Sequence, residues 1–174
     1  RDGYTAVIHG KVKHEETQAT ASQARVTDNG RYLIVLDRKE AELICDYITG
    51  KKPLESFQAH FLHACSPDFD PNRDLIRVGL ANQTTMLMSE SLEIGQLIRQ
   101  AMADRYGEQA IDKHYRAFDT ICSATQDRQD AIQALLNEAD LNLAIVIGGY
   151  NSSNTRNLAK ICAQKVATYH IADP

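Results

Sequence analysis

Two nearly unbroken apolar stretches, YLIVLD at 32–37 and LNLAIVI at 141–147, constrain this chain most. A strand with one wet face alternates apolar and polar residues. A continuous run instead predicts a strand covered on both faces, as in a parallel sheet between helices. Helical spacing follows each run. Ala41, Ile44, Cys45 and Ile48 form one stripe, closed by Gly50, and Leu158, Ile161, Cys162 and Val166 form another. Between them lie Ile94, Leu97, Ile98, Ala101 and Met102, with Ser89 as expected cap and Gly107 as stop, then Ile132, Leu135, Leu136 and Ala139. Further strands are expected at 4–9, 75–80, 117–121 and 167–171. Such alternation predicts an α/β fold of two parallel-sheet units. The polar stretch 108–116 marks the expected boundary, giving units 1–116 and 117–174. Residues 49–72 carry Pro53, Pro67 and Pro71 and break the rhythm. They predict a surface insertion with a short helix near 54–60.

Composition narrows the function classes. Hydrophobic residues make up 43% of the 174, enough for a core. Nineteen basic and 23 acidic residues leave a charge of −4, which argues against general nucleic-acid binding. No run reaches the roughly 18 apolar residues of a membrane span. Cys45, Cys65, Cys122 and Cys162 are scattered without a CxxC pair, so neither a zinc site nor a disulfide framework is expected, and the chain reads as cytosolic. His60, His63 and Cys65 match no strong zinc spacing. Residue 1 is arginine and strands lie close to both ends, so a piece of a longer protein is expected.

Four polar clusters fall where a strand gives way to the next element, the place where parallel α/β folds bind ligands. HGKVKHEET (9–17) offers His14 as anion donor or proton shuttle and Glu16 as an acid, or else a solvated loop. NQTT (82–85) offers Thr84 and Thr85 as polar contacts, or as turn formers. Cys122 stands where a helix is expected to start, so its thiolate is favoured as nucleophile or metal ligand. GGYNSSNT (148–155) opens a helix with hydroxyl and N–H donors that suit phosphate, or simply caps it. Cys45 and Cys162 read as core packing.

Together the segments HGKVKHEETQATAS (9–22), ANQTTMLMSESLEIG (81–95), FDTICSATQDRQDA (118–131) and GGYNSSNTRNLAKI (148–161) resemble the 4-hydroxy-3-methylbut-2-enyl diphosphate reductases. The HGKVKHEET form and the long insertion resemble the cyanobacterial and plant-plastid branch. The resemblance implies a three-domain, pseudo-threefold α/β enzyme around a 4Fe-4S cluster, with this chain supplying most of the second and third domains. It implies Cys122 as one cluster ligand, with the others absent from this chain. Glu16 and Thr84 become catalytic; His14, Thr85, Ser152, Ser153 and Asn154 bind the diphosphate substrate. Ferredoxin is the implied electron donor, and the cytoplasm or plastid stroma the implied location. The fragment alone is expected to be inactive. Two other classes stay open on the residues themselves. One is a cluster-free phosphate-binding α/β module, though no GxGxxG or GxxxxGK[ST] motif is present. The other is a cysteine-nucleophile enzyme in which His14 activates Cys122.

Overall fold

A computed structural model describes residues 3–26, 29–118, 120–138 and 140–172. It is α/β, and its strands pair in parallel. The chain divides into two compact units: residues 1–83 with 89–120, and residues 84–88 with 121–174.

The first unit is built on β1 (Thr5–His9), α1 (Glu15–Ala24), β2 (Tyr32–Val35) and α2 (Arg38–Ile48). Short helices α3 (Phe57–Phe61) and α4 (Pro71–Asp74) follow, then β3 (Val78–Asn82) and α5 (Met88–Tyr106). Helix α6 (Ile111–His114) and β4 (Tyr115–Ala117) close it. The strand order is β2-β1-β3-β4. Register sets Val7 opposite Leu33 and Leu80. The chain moves outward from β1 to β2, then returns across β1 to β3. With right-handed crossovers, that reversal puts α1 on one face and α2 on the other. Asp37 ends β2 and caps α2, its carboxylate accepting from Glu40 N–H at 3.0 Å. Val7, Ile8, Leu33 and Ile34 are buried in one core with Ile44 and Ile48 of α2 and Ile94, Ile98 and Met102 of α5, successive strand residues facing opposite sides of the sheet. Each such side chain contributes about 1.5–3 kcal/mol.

The second unit holds α7 (Ser123–Glu138), β5 (Leu143–Ile147), α8 (Ser153–Ala163) and β6 (Ala167–Ile171). Its two strands pair in parallel. Leu136, Ile161 and Cys162 form its buried cluster, with Leu87, Ile132 and Val146 against it. No helix among the described residues is long and apolar enough to cross a membrane.

Several sequence expectations need correction. The strand placed at 117–121 is Tyr115–Ala117, because Leu80 pairs with Ala117 and holds it in the first sheet. Asp119, within the expected strand, lies outside the described residues, as does Ala139 on the expected stripe of α7. The strand placed at 75–80 is Val78–Asn82, since Leu75 still closes α4. Helix α5 begins at Met88, so Ser89 lies in its first turn; the Met88 N–H is taken by Gln129 Oε1 at 3.0 Å. Strand β5 is covered on one face only. Leu143, Ile145 and Ile147 are exposed, while Ala144 and Val146 pack on the helices. Leu135 is likewise exposed.

Residues 49–72 are no surface appendage. Phe57, Phe61 and Phe69 enter the main core, and Phe57 stacks on Phe69 with centroids 5.1 Å apart. Cys65 bridges Leu33 in antiparallel fashion, with Ile34 N–H donating to Ala64 O at 2.7 Å. The segment thereby covers the edge of β2. Arg31 anchors it by pairing with Asp68 at 2.6 Å.

Candidate functional site

In the first unit the candidate groups gather at the carboxyl ends of β1 and β3. These central strands flank the point where the chain's direction reverses, the usual ligand position of such sheets. Gly10 N–H donates to Val35 O at 2.9 Å, and His14 N–H closes a turn onto Lys11 O at 2.9 Å. His14 is the N-cap of α1: its Nδ1 accepts from Glu16 N–H at 3.3 Å. An accepting Nδ1 is unprotonated, so neutral His14 carries its proton on Nε2, which is then a donor. Glu16 is half-buried in the first turn of α1. His9 ends β1 fully buried, with Nδ1 2.8 Å from Ser91 Oγ. Burial lowers its pKa from the usual 6.5 to about 4, so it is neutral at pH 7.

In the second unit, Cys122 stands directly before α7, and residues 152–154 open α8, the helix that follows β5. The Cys122 carbonyl accepts from Thr125 N–H at 2.9 Å and Gln126 N–H at 3.1 Å, so Cys122 stands at the start of α7. Its side chain is exposed, and Sγ donates to Thr125 Oγ1 at 3.0 Å. The other thiols are buried or half-buried. Burial pushes Cys45 up to about 12 and also raises Cys65 and Cys162. Ser152 caps α8, accepting from Thr155 N–H at 3.3 Å. Gly148 follows β5 at φ +152°, where a Cβ would lie 2.8 Å from Thr155 Oγ1, so the turn into α8 requires glycine. Ser153 is buried, and the Asn154 Oδ1 position is buried without a partner.

The segment 84–88 is gripped by both helices of this unit. Thr85 O accepts from Asn157 Nδ2 of α8 at 2.9 Å. Gln129 of α7 donates from Nε2 to Met86 O at 3.1 Å and accepts from Met88 N–H at 3.0 Å. The structure thus joins Thr84 and Thr85 to the unit that holds Cys122, Ser152, Ser153 and Asn154, whereas His14 and Glu16 belong to the first unit. Sequence reading missed Gln129, Asn157 and Thr125, all buried. Their signal was polar residues at helical spacing on apolar stripes: Thr125, Gln129, Ile132 and Leu136 fall at i, i+4, i+7 and i+11.

His60 of the expected insertion has a structural use. Its Nδ1 lies 3.0 Å from both the Tyr47 hydroxyl and the Ser56 carbonyl. A cavity of about 590 Å³ beside Ala6, Gly79, Ala81 and Phe118 contains none of the candidate residues. Among the described residues, no group of three or more His, Cys, Asp and Glu side chains can hold a metal ion.

The LytB protein family matches residues 1–174. The 4-hydroxy-3-methylbut-2-enyl diphosphate reductase of Synechococcus sp. (strain CC9311) is 52% identical over 175 residues, covering 100% of this chain and 42% of that protein. The reductase of the same name from Parasynechococcus marenigrum (strain WH8102) is 52% identical over 171 residues, covering 98% of this chain and 41% of that protein. The solved E-1-hydroxy-2-methyl-but-2-enyl-4-diphosphate reductase from Plasmodium falciparum matches with a TM-score of 0.60 at 21% identity, a likeness of fold. It covers 98% of this chain and 41% of that one. The chain spans about two fifths of the length of the curated relatives it matches.

Proposed function

The chain belongs to the LytB protein family, and from that membership we propose that the whole protein is an oxidoreductase of isoprenoid synthesis. It removes the hydroxyl of 4-hydroxy-3-methylbut-2-enyl diphosphate to give isopentenyl and dimethylallyl diphosphate. Two electrons and two protons enter, and one water leaves. The family match along the full chain carries the proposal. Residues 1–116 correspond to most of the family's second α/β domain and 117–174 to most of its third.

The chain's own residues take these roles. Ser152, Ser153 and Asn154 bind the diphosphate at the start of α8, where backbone N–H groups and the helix dipole favour anions. Asn154 can add its Nδ2–H donors to that anion site. His14 adds its Nε2–H, and Thr85 a further polar contact. Thr84 orders the substrate hydroxyl. Glu16, half-buried, delivers or relays the proton that turns the leaving hydroxyl into water.

Cys122 fits as one ligand of an iron–sulfur cluster. It is the exposed thiol at a helix start, whereas burial keeps Cys45, Cys65 and Cys162 protonated. One thiolate does not enclose four irons, so the remaining ligands come from elsewhere in the protein. A 4Fe-4S cluster held in part by Cys122 would pass electrons to the substrate and supply Lewis-acid chemistry near its hydroxyl. We assign the electron supply to ferredoxin and the location to the cytoplasm, or the stroma in a plastid.

The test is anaerobic assay of the whole protein with this substrate and a chemical reductant, the products being separated by chromatography. Both isoprenoid diphosphates are expected. A cluster-loaded protein that leaves the substrate unchanged overturns the assignment.

A further inference from the structure

We propose that Gln83 is a positioning residue that fixes the loop carrying His14 and Glu16 to the end of β3. The proposal rests on the reading of Glu16 as the proton donor. Gln83 follows β3 directly and precedes Thr84, and its side chain is almost fully buried. Its Oε1 accepts from Lys11 N–H at 3.1 Å and from Thr17 Oγ1 at 3.1 Å. Its own N–H donates to His9 O at 2.8 Å. One carboxamide oxygen therefore holds both ends of the segment Lys11 to Thr17, and Glu16 lies just inside the second anchor.

The surroundings are shaped for this tie. Thr17 is fully buried, so its hydroxyl needs a partner, and Gln83 is within reach. A Cβ on Gly10 would lie 2.6 Å from Thr17 Oγ1 and 3.0 Å from Gln83 Cβ. Glycine is what lets loop, helix and glutamine close to hydrogen-bond distance. Without Gln83 the Lys11 N–H loses the Oε1 to which it donates. A released loop lets Glu16 drift, and misplacement by about 1 Å costs on the order of a hundredfold in rate.

The test uses the whole enzyme with Gln83→Leu, Thr17→Val and Thr17→Ser, none of which alters a group assigned to substrate or cluster. Three readouts are taken: kcat and KM separately, amide hydrogen exchange at Lys11, and circular dichroism. For Gln83→Leu we expect kcat to fall roughly tenfold to a hundredfold with KM changed less than about threefold. Lys11 should exchange faster while the protein remains folded. Thr17→Val should lose roughly three- to tenfold in kcat, and Thr17→Ser, which keeps the hydroxyl, should restore most of it. Wild-type kcat in Gln83→Leu, or unchanged Lys11 exchange, overturns the proposal. If Gln83→Leu does not fold, the contrast between Thr17→Val and Thr17→Ser decides it. A wild-type rate for Glu16→Gln removes the underlying reading instead, and Lys11 exchange still decides the tie.

Discussion

His9 and the four cysteines show how burial sets chemistry at single residues. Folded His9 stays neutral down to about pH 4, whereas an unfolded histidine takes up its proton near 6.5. Between those values the unfolded chain binds more protons, so stability falls as pH drops from about 6.5 to about 4. A shift of this size is worth on the order of 3 kcal/mol. Urea unfolding at pH 5 and pH 7 should show about 2 kcal/mol of that loss, and His9→Phe should remove its share. An unaltered pH dependence in the variant would rule out His9 as the source. The cysteines give a second prediction. Cys122 is exposed, while burial raises the pKa of Cys45, Cys65 and Cys162. Iodoacetamide on cluster-free protein should label Cys122 at least about tenfold faster than the rest. Even labelling across the four, read by peptide mass, would contradict that.

Helix α8 and the segment 49–72 carry the predictions at the scale of elements. Ser152 caps α8 and stands in the proposed diphosphate site. Ser152→Ala should cost about 1 kcal/mol in stability and weaken inorganic pyrophosphate binding to the whole protein, measured by calorimetry. Lost stability with undiminished pyrophosphate affinity would leave Ser152 as a cap only. Phe57 makes edge contact with Tyr47 at 5.2 Å and stacks on Phe69 at 5.1 Å. Phe57→Ala should therefore destabilise the first unit by about 3–5 kcal/mol. A true surface insertion would tolerate the change, and a loss below about 1 kcal/mol would return the segment to that status.

For the whole molecule, the two units differ in what holds them. The first surrounds its sheet with a continuous core. The second has a small cluster at Leu136, Ile161 and Cys162 and leaves Leu143, Ile145, Ile147 and Tyr169 exposed. Hydrogen exchange of the 174-residue chain should be faster in β5 and β6 than in β1 and β3. Equal protection would show that the exposed face costs the second unit nothing. The same chain, reconstituted with iron and sulfide without oxygen, should bind fewer than about four irons and show no turnover, because Cys122 is its one suited thiol. A full cluster with turnover would overturn the assignment of the remaining ligands to other parts of the protein.

Much of this was legible in the sequence for a local reason. Helical spacing at Ile44, Ile48, Ile94 and Ile98, and the unbroken run at 32–35, record which positions avoid water, and that fixes the α/β class and the parallel pairing. The Asn-Ser-Ser-Asn and Cys122 joints were visible because caps and strand ends have local signatures. Partners were not legible. Strand β4 joins the first sheet because Leu80 accepts it, and β5 stays open on one face because no described element of its unit covers it. Gln83, Gln129 and Asn157 look like surface residues until folding buries them. Their partners lie 72 and 66 residues away for Gln83, 43 and 41 for Gln129, and 72 for Asn157. A sequence pattern states whether a side chain faces water; which distant backbone group satisfies a buried polar one is decided only when tertiary packing brings the two together.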